Sequence, residues 1–394
     1  MNKISNTIQM KIKILFCFLT FMMFLTCCKD PNIEPYFPPV PGKEDEDETD
    51  EEVLDPAANI YNNYEWVTKI RRSHPRLFFN IKTFEDVKAR TLNEEKAEYD
   101  RIKSRIDLLL DKEIVFENPL IDDGTDSNDH KYGTNAAEAA FIYKVTGDVR
   151  YFDLSKRLLE KVIEYYEYRN SHQLNISWYV YSRLHALMAY DWIYNDLSEA
   201  EKISIGRSLF NALEFMLPST SRSNFYRENR SGIDGGFYNN QAMEWYLGLV
   251  FHGTGVNDTK ALEILKRGYD SHKSVLQYRE NASGDDGGAA SGTLPYCLAD
   301  YPWAENNFFH SFMSATGGYN ITTQYDYLPN FVSYLYWNLL PQNREFGFGD
   351  AHHTDNSIDF AIINMHLSQL VHFYGDRFPM HASVARYIMN ELYP

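Results

Sequence analysis

An amide and a carboxylate stand three residues apart in the middle of the chain, with a tyrosine further on. Gln241 and Glu244 lie within Tyr-Asn-Asn-Gln-Ala-Met-Glu-Trp-Tyr, and Asn240 precedes them. Breaking a polymer beside a uronic acid by β-elimination needs hydrogen-bond donors on the carboxylate and a base at the neighbouring carbon. Asn240 and Gln241 supply donors and Tyr296 supplies a proton-transfer group, so these residue types suit that chemistry.

The tyrosines of interest follow a glycine-rich loop. Residues 284–292 read Gly-Asp-Asp-Gly-Gly-Ala-Ala-Ser-Gly and lead to Tyr296 and Tyr301. A phenol with a pKa of about 10 is a poor base in water, but nearby positive charge favours the phenolate. We therefore predict Tyr296 as a catalytic residue and Tyr301 as a substrate-binding residue.

Basic residues near Gln241 are candidates for holding the acidic groups of such a polymer. Arg222, Arg227 and Arg230 precede it in Ser-Arg-Ser-Asn-Phe-Tyr-Arg-Glu-Asn-Arg. A guanidinium binds sulfate or carboxylate with two hydrogen bonds, although a solvated basic loop explains the same pattern. His310 is predicted to support the site, against the alternative of a structural histidine.

From spacing alone, a purely structural role for Asn240, Gln241 and Glu244 is also open. Asn240 fits a helix cap, and Gln241 with Glu244 fits a solvated surface pair. If the three residues instead point together into a cavity, Asn240 and Gln241 neutralise the substrate carboxylate and Glu244 polarises Gln241.

Two stretches of the chain resemble a known family. Ser-His-Pro-Arg-Leu-Phe-Phe at residues 73–79, taken with the Gln241 motif, resembles the helical part of heparinase II/III-type polysaccharide lyases over about residues 73–350. In that family a His-x-x-Glu on a cavity helix and a downstream tyrosine act on the substrate. Gln241, Glu244 and Tyr296 fall on those positions.

This sequence is expected to differ from the family pattern in two ways: one site residue is changed, and the C-terminal domain is missing. A glutamine hydrogen-bonds a carboxylate, but unlike histidine it does not accept a proton at neutral pH. The family also has a C-terminal β-sandwich with a catalytic histidine and zinc ligands, for which the chain up to Pro394 leaves no room. The resemblance implies an all-α fold, a complete or incomplete (α/α)-toroid of helical hairpins, more firmly than it implies activity.

The hydrophobic periodicity independently predicts helices. Apolar residues recur every three or four positions, as one helix face requires, at Tyr151, Leu154, Leu158, Val162 and Tyr165 and again at Leu262, Leu265, Tyr269, His272 and Leu276. Ser198 and Glu201 form a capping box that opens a helix directly after another one closes. Leu154 recurs as Leu262 two hairpins later, a weak internal repeat. We expect ten to twelve helices.

The first 27 residues are predicted to be a bacterial lipoprotein signal peptide. Lysines at positions 3, 11 and 13 precede an apolar run from Ile14 to Phe24, and Leu-Thr-Cys-Cys follows. That run is too short to span a membrane comfortably. Cleavage before Cys28 leaves a lipidated cysteine and places the protein on the cell envelope, in the periplasm or at the outer-membrane surface. An ordinary secretory signal is the alternative.

Residues 28–62 are predicted to be a disordered tether, and residues 63–394 one lyase-like domain. The tether contains six prolines and a stretch with eight acids in ten positions, which cannot bury a core. This stretch explains much of the net charge of −17. The charge argues against nucleic acid as a partner without excluding an acidic polysaccharide.

No cofactor or metal is predicted. Asp350, His352, His353 and Asp355 resemble metal ligands, but their spacing matches no zinc signature. Two other functions remain open. One is a glycoside hydrolase using Asp285 or Asp286 with a second carboxylate such as Glu244. The other is a lipoprotein that binds a polysaccharide without cleaving it.

Overall fold

Twelve α-helices account for most of the chain that the structure describes. The computed structural model describes residues 60–61, 63–114, 128–172, 181–217, 240–285, 287–288, 305–340, 344–345 and 360–392. The helices are α1 Phe84–Leu92, α2 Lys96–Asp107, α3 Asn128–Thr146, α4 Val149–Ser171, α5 Tyr181–Ile193, α6 Glu199–Phe215, α7 Asn240–Phe251, α8 Asp258–Ser283, α9 Asn307–Ala315, α10 Phe331–Asn338, α11 Phe360–Tyr374 and α12 Pro379–Tyr387. A two-residue antiparallel pair, β1 Leu339–Leu340 and β2 Arg344–Glu345, follows α10. The predicted all-α class and the helix number are confirmed.

The predicted helix faces are the buried faces. All five periodic residues from Tyr151 to Tyr165 are buried on α4, and on α8 four of the five are buried, with Leu262 half-buried. The capping box is present in both directions, with the Ser198 hydroxyl accepting from the Glu201 amide and the Glu201 carboxylate accepting from the Ser198 amide. Helix α6 therefore begins where the sequence predicts.

Five helices are buried on nearly all sides, and we call α3, α5, α7, α9 and α11 the inner helices. Neighbouring inner helices α3 and α5 run parallel, because Thr134 Oγ1 lies 2.9 Å from His185 Nδ1 in their first halves and Phe141 packs on Trp192 in their second. Helices α4, α6 and α8 keep an exposed face and alternate with the inner ones along the chain. The chain is thus a series of outer and inner helices; closure into a toroid stays a prediction.

Residues 71–80 hold the carboxyl ends of three inner helices together. The Arg76 guanidinium donates to the carbonyls of Leu249 at 3.0 Å and His252 at 2.7 Å, at the end of α7. The Arg71 amide donates to the Ala315 carbonyl at the end of α9. Asp191, near the end of α5, accepts from the backbone amides of Arg76 and Leu77. A cation suits this position because the end of a helix carries unpaired carbonyls and partial negative charge.

The motif at residues 73–79 is therefore part of the scaffold. His74 Nδ1 lies 2.6 Å from Asp191 Oδ1, and both side chains are buried. Burial lowers the pKa of His74, so the neutral ring donates its Nδ1 proton to the carboxylate. These contacts fix α5, α7 and α9 in one orientation, with their amino ends at the opposite end of the bundle.

Two residues of the predicted tether pack against the folded domain. Ile60 and Tyr61 are both buried in the core, and the Tyr61 hydroxyl donates to the Asn320 carbonyl at 2.8 Å. The tether boundary at residue 62 stays a prediction. The predicted signal peptide and Cys28 lie outside the described residues.

Candidate functional site

The segments that precede most inner helices are long, whereas the turns that follow most of them are short. The turns after α3, α5, α7 and α11 span residues 147–148, 194–198, 252–257 and 375–378, and the segments before α3, α7, α9 and α11 span residues 108–127, 216–239, 284–306 and 339–359. Five of the predicted site residues belong to the second group. Arg222, Arg227 and Arg230 precede α7, and Tyr296 and Tyr301 precede α9; all five lie outside the described residues. The candidate metal cluster at residues 350–355 also does.

The starts of α7 and α9 lie at the same level of the bundle. Trp245 Nε1 donates to Ser311 Oγ at 2.8 Å, and both residues are four positions after Gln241 and Asn307 respectively. Asn240 and Gln241 form the first turn of α7. The amino end of α7, where the sequence predicts substrate binding, therefore adjoins the amino end of α9.

Buried ionisable groups of the inner helices lie mainly in their first halves. On α5 these are Arg183 and His185, and Glu138 lies just past the middle of α3, where its carboxylate pairs with Arg105 of α2. The second halves contain mainly aliphatic and aromatic side chains, apart from Glu138, Gln369 and residues that contact segment 71–80. Burying a charge is costly unless the group is paired, so this one-sided distribution marks the amino ends as the candidate functional end.

A second group of buried polar residues lies where α8, α9 and α11 meet. Arg279 Nη1 donates to both oxygens of Glu305, at 2.7 and 2.8 Å, just before α9. His310 Nε2 lies 2.5 Å from Gln369 Oε1 of α11. Burial raises the pKa of Glu305 to about 7 and lowers the pKa of His310 to about 3. His310 is thus a buried neutral histidine bonded to its neighbouring helix.

Glu244 faces the outer helix α8. Its side chain is 8% exposed, and Oε1 lies 3.2 Å from Nη2 of Arg267, which also binds Glu263. Gly268 lets the two backbones approach here, because a methyl group at this position would lie 2.2 Å from the Trp245 nitrogen. The Glu244 carboxylate is therefore paired with Arg267 of α8. The sequence did not predict this contact.

Two of the carboxylates considered for glycoside hydrolysis, Glu244 and Asp285, do not meet. Glu244 lies beside Gly268, whereas Asp285 follows the last residue of α8, Ser283. At 1.5 Å per residue the two positions are about 22 Å apart along the helix. Paired carboxylates of glycosidases stand roughly 5 to 10 Å apart. Glu244 and Asp285 therefore do not form such a pair, and Asp286 lies outside the described residues.

Sequence reasoning missed the Arg279–Glu305 pair and the polar group on α3 and α5. The partners are far apart in sequence, 26 residues for Arg279 and Glu305 and 51 for Thr134 and His185. Only the burial of ionisable residues on a predicted apolar face was available as a signal, and it does not identify the partner.

Within the described residues, no group of three or more potential ligands is placed to hold a metal ion. Among the same residues, no helix combines the length and apolar character needed to cross a bilayer. No protein-family model matches the chain, and a search of curated proteins found no significant match.

Proposed function

We propose that this protein is an exported polysaccharide lyase-like protein that acts on a uronate-containing, glycosaminoglycan-type polymer at the amino ends of its inner helices. The observation that carries the proposal is the concentration of buried ionisable groups at that end, together with the position of Asn240 and Gln241 in the first turn of α7. Perturbed, buried ionisable groups cluster at functional sites more often than elsewhere. The proposed relation to heparinase II/III-type lyases rests on the motifs at residues 73–79 and 241–244.

In the proposed reaction, Asn240 and Gln241 donate hydrogen bonds to the substrate carboxylate and Tyr296 transfers the proton. Neutralising the carboxylate lowers the pKa of the adjacent carbon acid, which is the main barrier to β-elimination. The first turn of α7 adds backbone amides that have no acceptor within the helix, which also favour an anion. Arg222, Arg227, Arg230 and Tyr301 contribute to binding the acidic chain, while His310 and Glu244 support it from buried positions.

A second function, polysaccharide binding without cleavage, is favoured by two specific observations. Position 241 carries an amide that cannot accept a proton, and the Glu244 carboxylate is already bound by Arg267. A site with hydrogen-bond donors and cations but no base at position 241 would bind an acidic polymer without cleaving it.

The two functions separate in one experiment on the chain without its signal peptide. Heparin, heparan sulfate, chondroitin sulfate, hyaluronan and alginate are incubated with the wild-type protein and with Tyr296→Phe, and ultraviolet absorbance reports the unsaturated uronate that elimination creates. A lyase raises the absorbance of at least one polymer, and the variant abolishes the rise while still binding. Binding without any rise establishes the non-catalytic function, and neither binding nor a rise refutes both.

We also propose that Cys28 is lipidated and anchors the protein to the cell envelope. The lysine-rich start, the short apolar run and the cysteine that follows support this proposal. The acidic stretch after it would keep the folded domain away from the membrane surface, since the two negative surfaces repel each other.

A further inference from the structure

The ion pair between Arg279 and Glu305 is almost completely buried. The two side chains are 2% and 1% exposed, and one guanidinium nitrogen contacts both carboxylate oxygens. Arg279 lies one turn before the end of α8, and Glu305 lies just before α9. The pair therefore joins two helices at the point where the chain returns from the segment that contains Tyr296 and Tyr301.

The start of that segment is held as well. The Gly288 amide donates to the Ser283 carbonyl at 2.7 Å, closing the end of α8. Gly287 has a φ of +78° and packs so tightly on Asn330 that a methyl group would lie 2.1 Å from its carbonyl. The chain thus leaves α8 and re-enters at α9 through two fixed points.

Two further buried side chains lie near enough to the pair to be affected by its charges. His366 of α11 is buried, and the charge of Arg279 adds to burial in lowering its pKa to about 3. The charge of Glu305 adds to burial in raising the pKa of Tyr327 well above its usual value. The pair therefore lies in a buried environment next to two uncharged side chains.

Such a pair is poorly explained by stability alone. Two charges lose hydration on burial, and well-packed apolar residues of similar size often give equal or greater stability. The ion pair instead supplies geometric specificity, because the carboxylate and the guanidinium form their hydrogen bonds in only one relative orientation. That requirement fixes the first turn of α9, including the buried Asn306 and Asn307, at the level of Gln241 on α7.

We propose that Arg279 and Glu305 are positioning residues for the polysaccharide site, placing the start of α9 beside the start of α7. This inference rests on the proposed function, and it assigns to the pair an effect on polymer affinity rather than on folding. Neither side chain needs to touch the polymer.

The test replaces the pair with apolar residues of similar size in the chain without its signal peptide. The variants are Arg279→Met with Glu305→Leu, the conservative Arg279→Lys, and Lys156→Met as a control. Lys156 forms a 2.7 Å ion pair with Glu201 between the outer helices α4 and α6, away from the proposed site. Each variant is measured by urea unfolding, by amide hydrogen exchange across α9, and by titration with heparin, chondroitin sulfate, hyaluronan and alginate at pH 8.

The double variant is expected to unfold at no lower urea concentration than the wild type, to exchange the first amides of α9 at least about tenfold faster, and to bind the polymer at least about tenfold more weakly. Arg279→Lys should retain most of the affinity, and Lys156→Met should change neither exchange nor binding. A folded double variant with wild-type exchange and affinity overturns the inference, as does one that fails to fold, because the pair would then maintain the fold. If the wild type binds none of the polymers, the proposed function fails, and the exchange data still decide whether the pair orders α9.

Discussion

Replacing Arg76 with methionine should cost a large part of the stability of this protein. The guanidinium donates to the carbonyls of Leu249 and His252, and more weakly to the carbonyl of Arg72 at 3.2 Å. A hydrogen bond from a charged donor contributes about 1.5 to 3 kcal/mol. Methionine keeps the aliphatic packing but removes all three bonds, and the two shorter ones alone correspond to a loss of about 3 to 6 kcal/mol in the free energy of unfolding. Domains are typically stable by about 5 to 15 kcal/mol.

Urea unfolding followed by circular dichroism measures this loss, and Arg377→Met is the matched control. Arg377 also donates to a backbone carbonyl, that of Thr322 at 3.0 Å, and pairs with Asp326. Its side chain is 31% exposed, so its removal should cost about 1 kcal/mol or less. If Arg76→Met costs no more than the control, the idea that this arginine holds the carboxyl end of α7 is wrong.

Three further outcomes are expected. Gly268→Ala should lower the free energy of unfolding by about 2 to 3 kcal/mol, because the added methyl group meets the backbone of Trp245 and forces α7 and α8 apart; Ser274→Ala on the exposed face of α8 should be nearly neutral in the same urea titration. The folded-state pKa of Glu305, about 7, lies above its ordinary value of 4.5, so its contribution to stability is fully present below pH 4.5 and is lost as pH rises to about 7. The stability of the wild type relative to Glu305→Gln should fall across that range, and a constant difference would show that the pKa of this carboxyl is not raised. Cys28→Ser should abolish incorporation of labelled palmitate in a bacterial host, whereas Cys27→Ser should retain it; label retained in Cys28→Ser would place the lipid elsewhere.

Local features of the fold followed directly from the sequence. The face of α4 from Tyr151 to Tyr165 and the capping box at Ser198 depend on residues within a few positions of each other. Helix periodicity and capping are properties of short stretches of chain. Such features are therefore predictable without any knowledge of the tertiary structure.

The candidate site was predicted only in part. The position of Asn240 and Gln241 at the start of a helix follows from the apolar run after them. The partner of Glu244 did not, because Arg267 reaches it only after α7 and α8 have formed an antiparallel pair in one register. Gly268 sets that register by allowing the two backbones into contact.

The helices, their buried faces and the residue types available at positions 240–244 can be predicted from the amino-acid sequence. The folded arrangement is needed to see that Arg76 and Asp191 join the carboxyl ends of the inner helices, and that Arg279 meets Glu305 at the opposite end. The physical reason is that burial of ionisable groups requires a partner, and the partner is selected by how distant helices align, a property that no short stretch of sequence contains.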